Sequence, residues 1–440
     1  MNKHKKIFHV AVVLFAGLLV SRTVLAATEL PHENFGSLLT LEQAISRTLQ
    51  EDAKVKLAIE RLEKEKALYK GAQAEFFPKF GTEYFGAVAT GGSKTVGYVD
   101  ASLEQPIFEG GKSVFNKKKQ KTRVESETLR FEEAKLDLNL YVRILYAQVL
   151  EEKELTRIAQ GEVKELSGAF ERASALFQKE VVPRSELMRV ETLLQKSKTG
   201  LVKHKESYDY YLGLLMETVA MGAQESLELE PMGKIPELSA DASTYLEISR
   251  KHDPLYKITG LQIQEKEFEK KMLRAERWPT LNLAAKWDLN RDIYVNTDRV
   301  MAGVSGKWNI WDFGRLGAQI HAKEHEIEEK KWEGVIEVRD HENEIRRDFH
   351  EIRATREKIR LAESLVRECE ELYKNEKVKS VAGDRGASEL MDSFVALEEA
   401  RTQNLESVTE CRILFAKLGR KIAFGGMETG LQGTVGEETE

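Results

Sequence analysis

Two stretches of this chain carry residue types and spacings that chemistry could use. His321-Ala322-Lys323-Glu324-His325 has the order His-x-x-Glu-His of a zinc-peptidase helix. Histidines four residues apart share a helix face and can hold a metal ion. The surrounding run is dense in Lys and Glu, so the spacing reads instead as incidental on a solvated face. Gly110-Gly111-Lys112-Ser113 ends like a phosphate-binding loop, but the first glycine of that motif would fall at Pro106 and the match fails. His341 and His350 read as scattered helix-face residues, and no Ser/His/Asp arrangement can be argued from the sequence alone. The chain is therefore read as no enzyme, with no catalytic residue, no cofactor and no metal.

Gly110 and Gly111 have a different use. Pro106-Ile107-Phe108-Glu109-Gly110-Gly111-Lys112 reads as a strand end, a tight turn and the start of a long helix. The pattern recurs 203 residues later as Asn309-Ile310-Trp311-Asp312-Phe313-Gly314-Arg315, which makes Phe313 and Gly314 the second strand-to-helix turn. The same offset carries Ser185-Glu186-Leu187-Met188 onto the identical Ser388-Glu389-Leu390-Met391, and Ile45-Ser46-Arg47 onto Ile248-Ser249-Arg250. Phe77-Pro78 matches Trp278-Pro279 at an offset of 201, so a two-residue gap opens and closes between the anchors. A near-constant offset over most of the chain is a tandem duplication. The organisation expected is a leader at 1–26, repeat one at 27–226, a linker at 227–241, repeat two at 242–424 and a tail at 425–440.

Each repeat must supply long helices. No proline lies between 107 and 182 or after 279, which permits unbroken helices there. Ser113 to Lys179 would be a single helix about 100 Å long, and helices of that length pack as coiled coils. Ala159, Val163, Leu166, Phe170, Ala173 and Phe177 step as a heptad seam, and Ile345, Phe349, Ile352, Ile359, Val366 and Tyr373 fall on the same grid, interrupted by Arg356. Return helices follow at about 185–221 and 388–421, completing helical hairpins at 113–221 and 315–421; shorter helices precede the strands at about 41–75 and 243–277. Cys369 and Cys411 fall on opposite sides of a helical tip near Arg385, about ten residues out of register. That is roughly 15 Å, beyond disulfide reach, so two buried free thiols are expected.

Between the helices lie four segments of period two, at about 79–89, 98–108, 280–290 and 300–311. Phe80, Tyr84 and Val88 share one parity; so do Val99, Ala101, Leu103 and Ile107, then Leu281, Leu283, Trp287 and Leu289, then Val300, Val304, Trp308 and Ile310. Each is roughly ten residues, the length of a membrane-crossing strand. A half-buried soluble hairpin would alternate in the same way. If the strands do face hydrocarbon, four cannot close and an open edge cannot stay there. The wall must then be shared between chains: two would give eight strands and a filled interior, three would give twelve and a lumen.

The N-terminus supports export. Lys3, Lys5 and Lys6 precede an apolar run from Ile7 to Val20, and Val24-Leu25-Ala26 supplies a cleavage site, the pattern of a secretory signal peptide. Without it the formal charge falls from −6 to −10. The acidic balance and few basic-aromatic clusters argue against nucleic acid. Charged residues at 32% and a mean hydropathy of −0.43 suit long solvated helices. The Gly- and Glu-rich tail from Gly425 has the composition of a disordered segment.

The duplicated strand–strand–long-helix–helix unit, with Leu103-Glu104-Gln105-Pro106-Ile107-Phe108-Glu109-Gly110-Gly111-Lys112 and Asn309-Ile310-Trp311-Asp312-Phe313-Gly314-Arg315, resembles the TolC-like outer membrane efflux proteins over about 40–420. The resemblance implies an α+β membrane protein. Two β-hairpins per chain would join a shared 12-stranded transmembrane β-barrel, and the coiled-coil helices would form a periplasmic α-barrel. It also implies a homotrimer in outer membrane lipid, a periplasmic adaptor protein and an inner-membrane transporter, and a role as exit duct for efflux or type I secretion. The tips at Val182, Pro183, Ala382 and Gly383 would meet the adaptor. By the same resemblance Arg385 would tie the closed tips to Glu186, and Glu389 with Asp392 would form an acidic constriction. The other class open to this sequence is an exported coiled-coil scaffold or tether without a pore.

Overall fold

The computed structural model of the protein describes residues 38–88, 95–221, 227–238, 241–291, 296–382 and 387–423. The expected leader and the tail from Gly425 lie outside them, as do Gly383 and Arg385. The elements run β1 (Leu38–Leu39), α1 (Leu41–Glu51), α2 (Ala53–Ala74), β2 (Lys79–Val88), β3 (Thr95–Phe108), α3 (Lys112–Gln178) and α4 (Arg184–Thr218). After the linker come β4 (Glu228–Leu229), α5 (Ala242–His252), α6 (Pro254–Ala275), β5 (Thr280–Arg291), β6 (Asn296–Lys307), α7 (Arg315–Ala382) and α8 (Ala387–Lys421).

The two repeats match element for element. α1 and α5 are both 11 residues, and α2 and α6 both 22, at an offset of 201. The long hairpins follow at 203. Hence the gap between repeats opens once, within the strand hairpins. The match of Ile45-Ser46-Arg47 with Ile248-Ser249-Arg250 is a coincidence of three residues; structurally Thr48, not Ser46, is the counterpart of Ser249.

Each short helix expected at 41–75 and 243–277 is broken in two by an aspartate. Asp52 ends α1 in extended conformation and its carboxylate accepts from Lys54 N–H (2.6 Å). Asp253 does the same for Leu255 N–H (2.8 Å) ahead of Pro254 at the first helical position. An aspartate N-cap satisfies an orphan amide, so a new helix starts there at a new angle. Thr40 and Gln43 form a reciprocal capping box at the start of α1.

The long helices bury their heptad seams. Leu166, Ala169 and Ala173 of α3 pack with Val190 and Leu194 of α4. Ile345, Phe349 and Ile352 of α7 pack with Cys411, Leu414, Phe415 and Leu418 of α8, joined by Tyr245 of α5. Cys369 lies in a separate cluster with Leu397 and Ala400. Both cysteines are buried free thiols, as the register argument requires. Arg356 interrupts its seam to donate to Pro236 O of the linker. Tyr146, fully buried in α3, sets its hydroxyl 2.9 Å from Leu39 O and 2.7 Å from Glu230 O, pinning the other linker end.

α3, α7, α8 and the start of α6 meet in a charged cluster. Arg420 reaches Asp137 (2.6 Å), Glu133 (3.1 Å) and the buried Asp253 (3.5 Å). Lys421 pairs with buried Asp348 (2.8 Å) and with Glu344 (2.9 Å).

Candidate functional site

The four strands form one antiparallel sheet in the order β2-β3-β5-β6. Its register opposes Phe80 to Leu103, Tyr84 to Val99, Ala101 to Trp287, Leu283 to Val304 and Trp287 to Val300. Opposed residues share a face, so one face gathers the apolar parity of all four strands. That face is exposed: Tyr84 at 83%, Val300 at 75%, with Phe80, Leu283, Trp287 and Val304 beside them. The other face is polar. There Lys286 bridges Asp100 and Asp288, both at 3.0 Å, although the two carboxylates stand directly opposite one another. The outer edges of β2 and β6 have no strand partner among the described residues.

The end of β6 differs from the sequence reading. β6 ends at Lys307, not near 311: Trp308 leaves the ladder, its indole N–H donating to Arg277 O (3.1 Å). β3 keeps its pairing to Phe108 only through a bulge at Pro106–Phe108, which proline's missing N–H forces.

The two strand-to-helix turns superpose in conformation. Gly110 and Gly111 have φ of 61° and 87°; Phe313 and Gly314 have 55° and 86°. The backbone bonds repeat as well, with Lys112 N–H to Glu109 O (3.1 Å) and Arg315 N–H to Asp312 O (3.2 Å). A side chain at Gly110 would place its Cβ 2.5 Å from Ala275 O, so only glycine lets α6 approach there. These bonds, with Lys112 paired to Glu276 (3.1 Å), leave no cradle for a phosphate.

The zinc-peptidase pattern is likewise tied up. Glu324 is held by Arg274 (2.8 Å) and lies 3.4 Å from His321 Nδ1, on an exposed face. Among the described residues no three His, Cys, Asp or Glu side chains converge to hold a metal ion. The structure does bring one serine, histidine and aspartate together. Ser249 Oγ is 3.1 Å from His341 Nε2, and Asp253 is 3.3 Å from the same nitrogen. A catalytic histidine needs the two partners on different nitrogens. Ser249 is also fully buried and donates to Lys421 O (2.7 Å), so this is a structural knot.

At the other end of the hairpins lie Glu186, Glu389 and Asp392, three of the four residues expected at the gate. α3 ends with Glu180 in left-handed conformation, while Val181 N–H bonds Leu176 O (3.0 Å) and Glu180 N–H bonds Phe177 O (2.9 Å), a Schellman closure without glycine. Val181 is exposed beyond it, Pro183 caps α4, and Ala382 ends α7. Glu186, half-buried, and Glu389, exposed, stand in first turns, of α4 and α8. The tie between Glu186 and Arg385 lies outside the described residues. Asp392 is not solitary: Arg189, its counterpart in repeat one, sets Nη2 2.6 Å from both carboxylate oxygens. The pair joins the two repeats across the tips, a contact that the constant offset between counterparts does not reveal.

Buried and half-buried carboxyls mark the seam where α3 meets α8. Burial first, then Glu152 and Glu406, push Glu151 up to about 7, against a hydrogen bond from Thr409. Burial also raises Glu398 and Glu162.

The geometry defines a class: an open sheet with one exposed apolar face, carried on duplicated helical hairpins. No described helix is long and apolar enough to cross a membrane. Residues 44–210 match the family model described as outer membrane efflux protein. Solved structures with the same fold include the Campylobacter jejuni CmeC outer membrane channel (TM-score 0.77, 14% identity, covering 88% of this chain and 86% of that one). The outer membrane protein VceC from Vibrio cholerae (TM-score 0.74, 14% identity, 88% and 97%) and the open state of the Neisseria gonorrhoeae MtrE outer membrane channel (0.74, 14%, 88% and 89%) are also similar. No curated protein sequence matches the chain. These matches bear out the resemblance to TolC-like outer membrane efflux proteins.

Proposed function

We propose that three copies of this chain form an outer membrane exit duct. The observation that carries the reading is the four-stranded sheet, apolar and exposed on one face with both edges open. Such a sheet is untenable alone in lipid and is completed by further copies, edge to edge. Three copies give twelve strands and a lumen. Transport is passive, and substrate is delivered from the helical end by a periplasmic adaptor and an inner-membrane transporter of a tripartite pump or type I secretion system.

The gate follows from the tips. Arg385 ties to Glu186 in the closed state, and Glu389 with Asp392 gathers carboxylates into a cation-selective constriction under threefold symmetry. The Arg189–Asp392 pair neutralises half of that charge while it is made.

Extraction from outer membranes in detergent tests the assembly: a heat-sensitive trimer is expected, and a water-soluble monomer would favour the scaffold reading. Cysteines at Val182 and Ala382 should crosslink to an adaptor in cells; labelling only from outside the cell would reverse the topology.

A further inference from the structure

The duplication gives contacts inside the chain a counterpart that one chain cannot make. α6 packs on α7 of its own repeat and also on α3 of the other. α2 packs on α3, its own long helix. The flank of α2 that corresponds to the α3-facing flank of α6 is open, with Ile59 40% exposed and Leu68 exposed. On α7 the matching face is open as well, with Trp332 66% exposed.

We propose that α2 of one copy docks on α7 of the next, in the register that α6 takes on α3 within a chain, with the central ion pair reversed in sign. This rests on the shared wall of the proposed duct. Within a chain, Arg123 of α3 is gripped by Glu265 (2.5 Å) and Glu269 (3.8 Å) of α6, with Glu65 of α2 acting on it from the other side. The counterpart of Arg123 is Glu326, and the counterpart of Glu65 is Lys266; these two pair at 3.4 Å. Half of the reversed arrangement is therefore already present, with Lys323 adding a second cation to Glu326 (2.6 Å). The missing half is the counterpart of Glu265. It is Lys64, exposed on α2 beside Glu65 (2.9 Å).

The rest of the contact keeps the same apolar and charged order. Leu129, Lys257 and Gly260 line one groove between α3 and α6; their counterparts Trp332, Lys56 and Ile59 set a ring against an aliphatic side chain, both larger than in the groove within the chain. Lys112–Glu276 (3.1 Å) becomes Arg315 with Glu75, which Asn116 now holds at 3.0 Å. At this end Phe313 replaces Gly110, so the helices stand further apart, and the longer arginine spans the gap. The sign reversal has a consequence for assembly. A misplaced α6 would set Glu265 against Glu326, and a misplaced α2 would set Lys64 against Arg123. Like charges thus enforce the alternating order of repeats around the ring.

The test is charge exchange in the full chain in detergent. Lys64→Glu or Glu326→Lys alone should weaken assembly at least about threefold per interface, and the double exchange should restore it to within about twofold. Lys64→Cys with Glu326→Cys should form a covalent ladder between chains on oxidation, the native cysteines being buried. Arg123→Cys with Glu265→Cys should crosslink only within one chain. Should the wild-type protein assemble while the single exchanges have no effect and no ladder forms, this interface is wrong and the duct reading survives. A wild-type chain that stays monomeric overturns the shared wall itself.

Discussion

Gly110 and Gly314 occupy equivalent turns but answer to different constraints. Both hold left-handed backbone, which costs other residues about 1–2 kcal/mol. Only Gly110 also faces a carbonyl, Ala275 O, 2.5 Å from where a Cβ would sit; nothing lies within 4 Å at Gly314. Gly314→Ala should therefore cost about 1–2 kcal/mol, and Gly110→Ala clearly more, in denaturant unfolding of the detergent-solubilised protein. Equal costs would mean that α6 does not press on this turn. A second residue-scale consequence concerns pH. The Glu151 carboxyl sits at about 7 in the fold against 4.5 ordinarily, raised mainly by burial. The folded chain then binds more protons than the unfolded one between those values, so its contribution to stability falls as pH rises from about 4.5 to about 7. Glu151→Gln should flatten the stability profile across that window and stabilise the protein above it. An unchanged profile would show that the side chain is hydrated.

At the scale of elements, the long helices were legible to within a few residues because proline's absence and heptad spacing are local signals; α3 spans 67 residues as expected. The breaks at Asp52 and Asp253 were not read as ends, since a single capping aspartate resembles any polar helix residue until its carboxylate is seen on the amide two residues on. The bulge at Pro106 was not read for a similar reason: it depends on the pairing partner in β5. Strand parity was legible because the side-chain period is two. It leads to a direct prediction. Leu283, on the exposed apolar face opposite Val304, should tolerate arginine poorly, losing about 1–3 kcal/mol in refolding into bilayers, while Asn282→Arg on the polar face should cost far less. Equal tolerance would remove the sheet from the membrane.

For the whole molecule, the sequence revealed the duplication but not how the repeats touch. Arg189 and Asp392 are counterparts 203 residues apart, yet it is the structure that sets them 2.6 Å apart across the tips, near the exposed Glu389 and the half-buried Glu186. Pairs of this kind are long-range and side-chain specific, so no periodicity announces them. They also tie the proposed gate to the architecture: a seam that joins α4 to α8 near the tips must loosen if the hairpins are to splay. Single-channel recording of the purified oligomer in planar bilayers tests the central claim most directly. The account predicts discrete, cation-selective conductance, larger when Arg189→Ala releases the tip seam and less selective when Glu389→Ala is combined with Asp392→Ala. An assembled protein that inserts but passes no current, or whose current ignores all three substitutions, would contradict it.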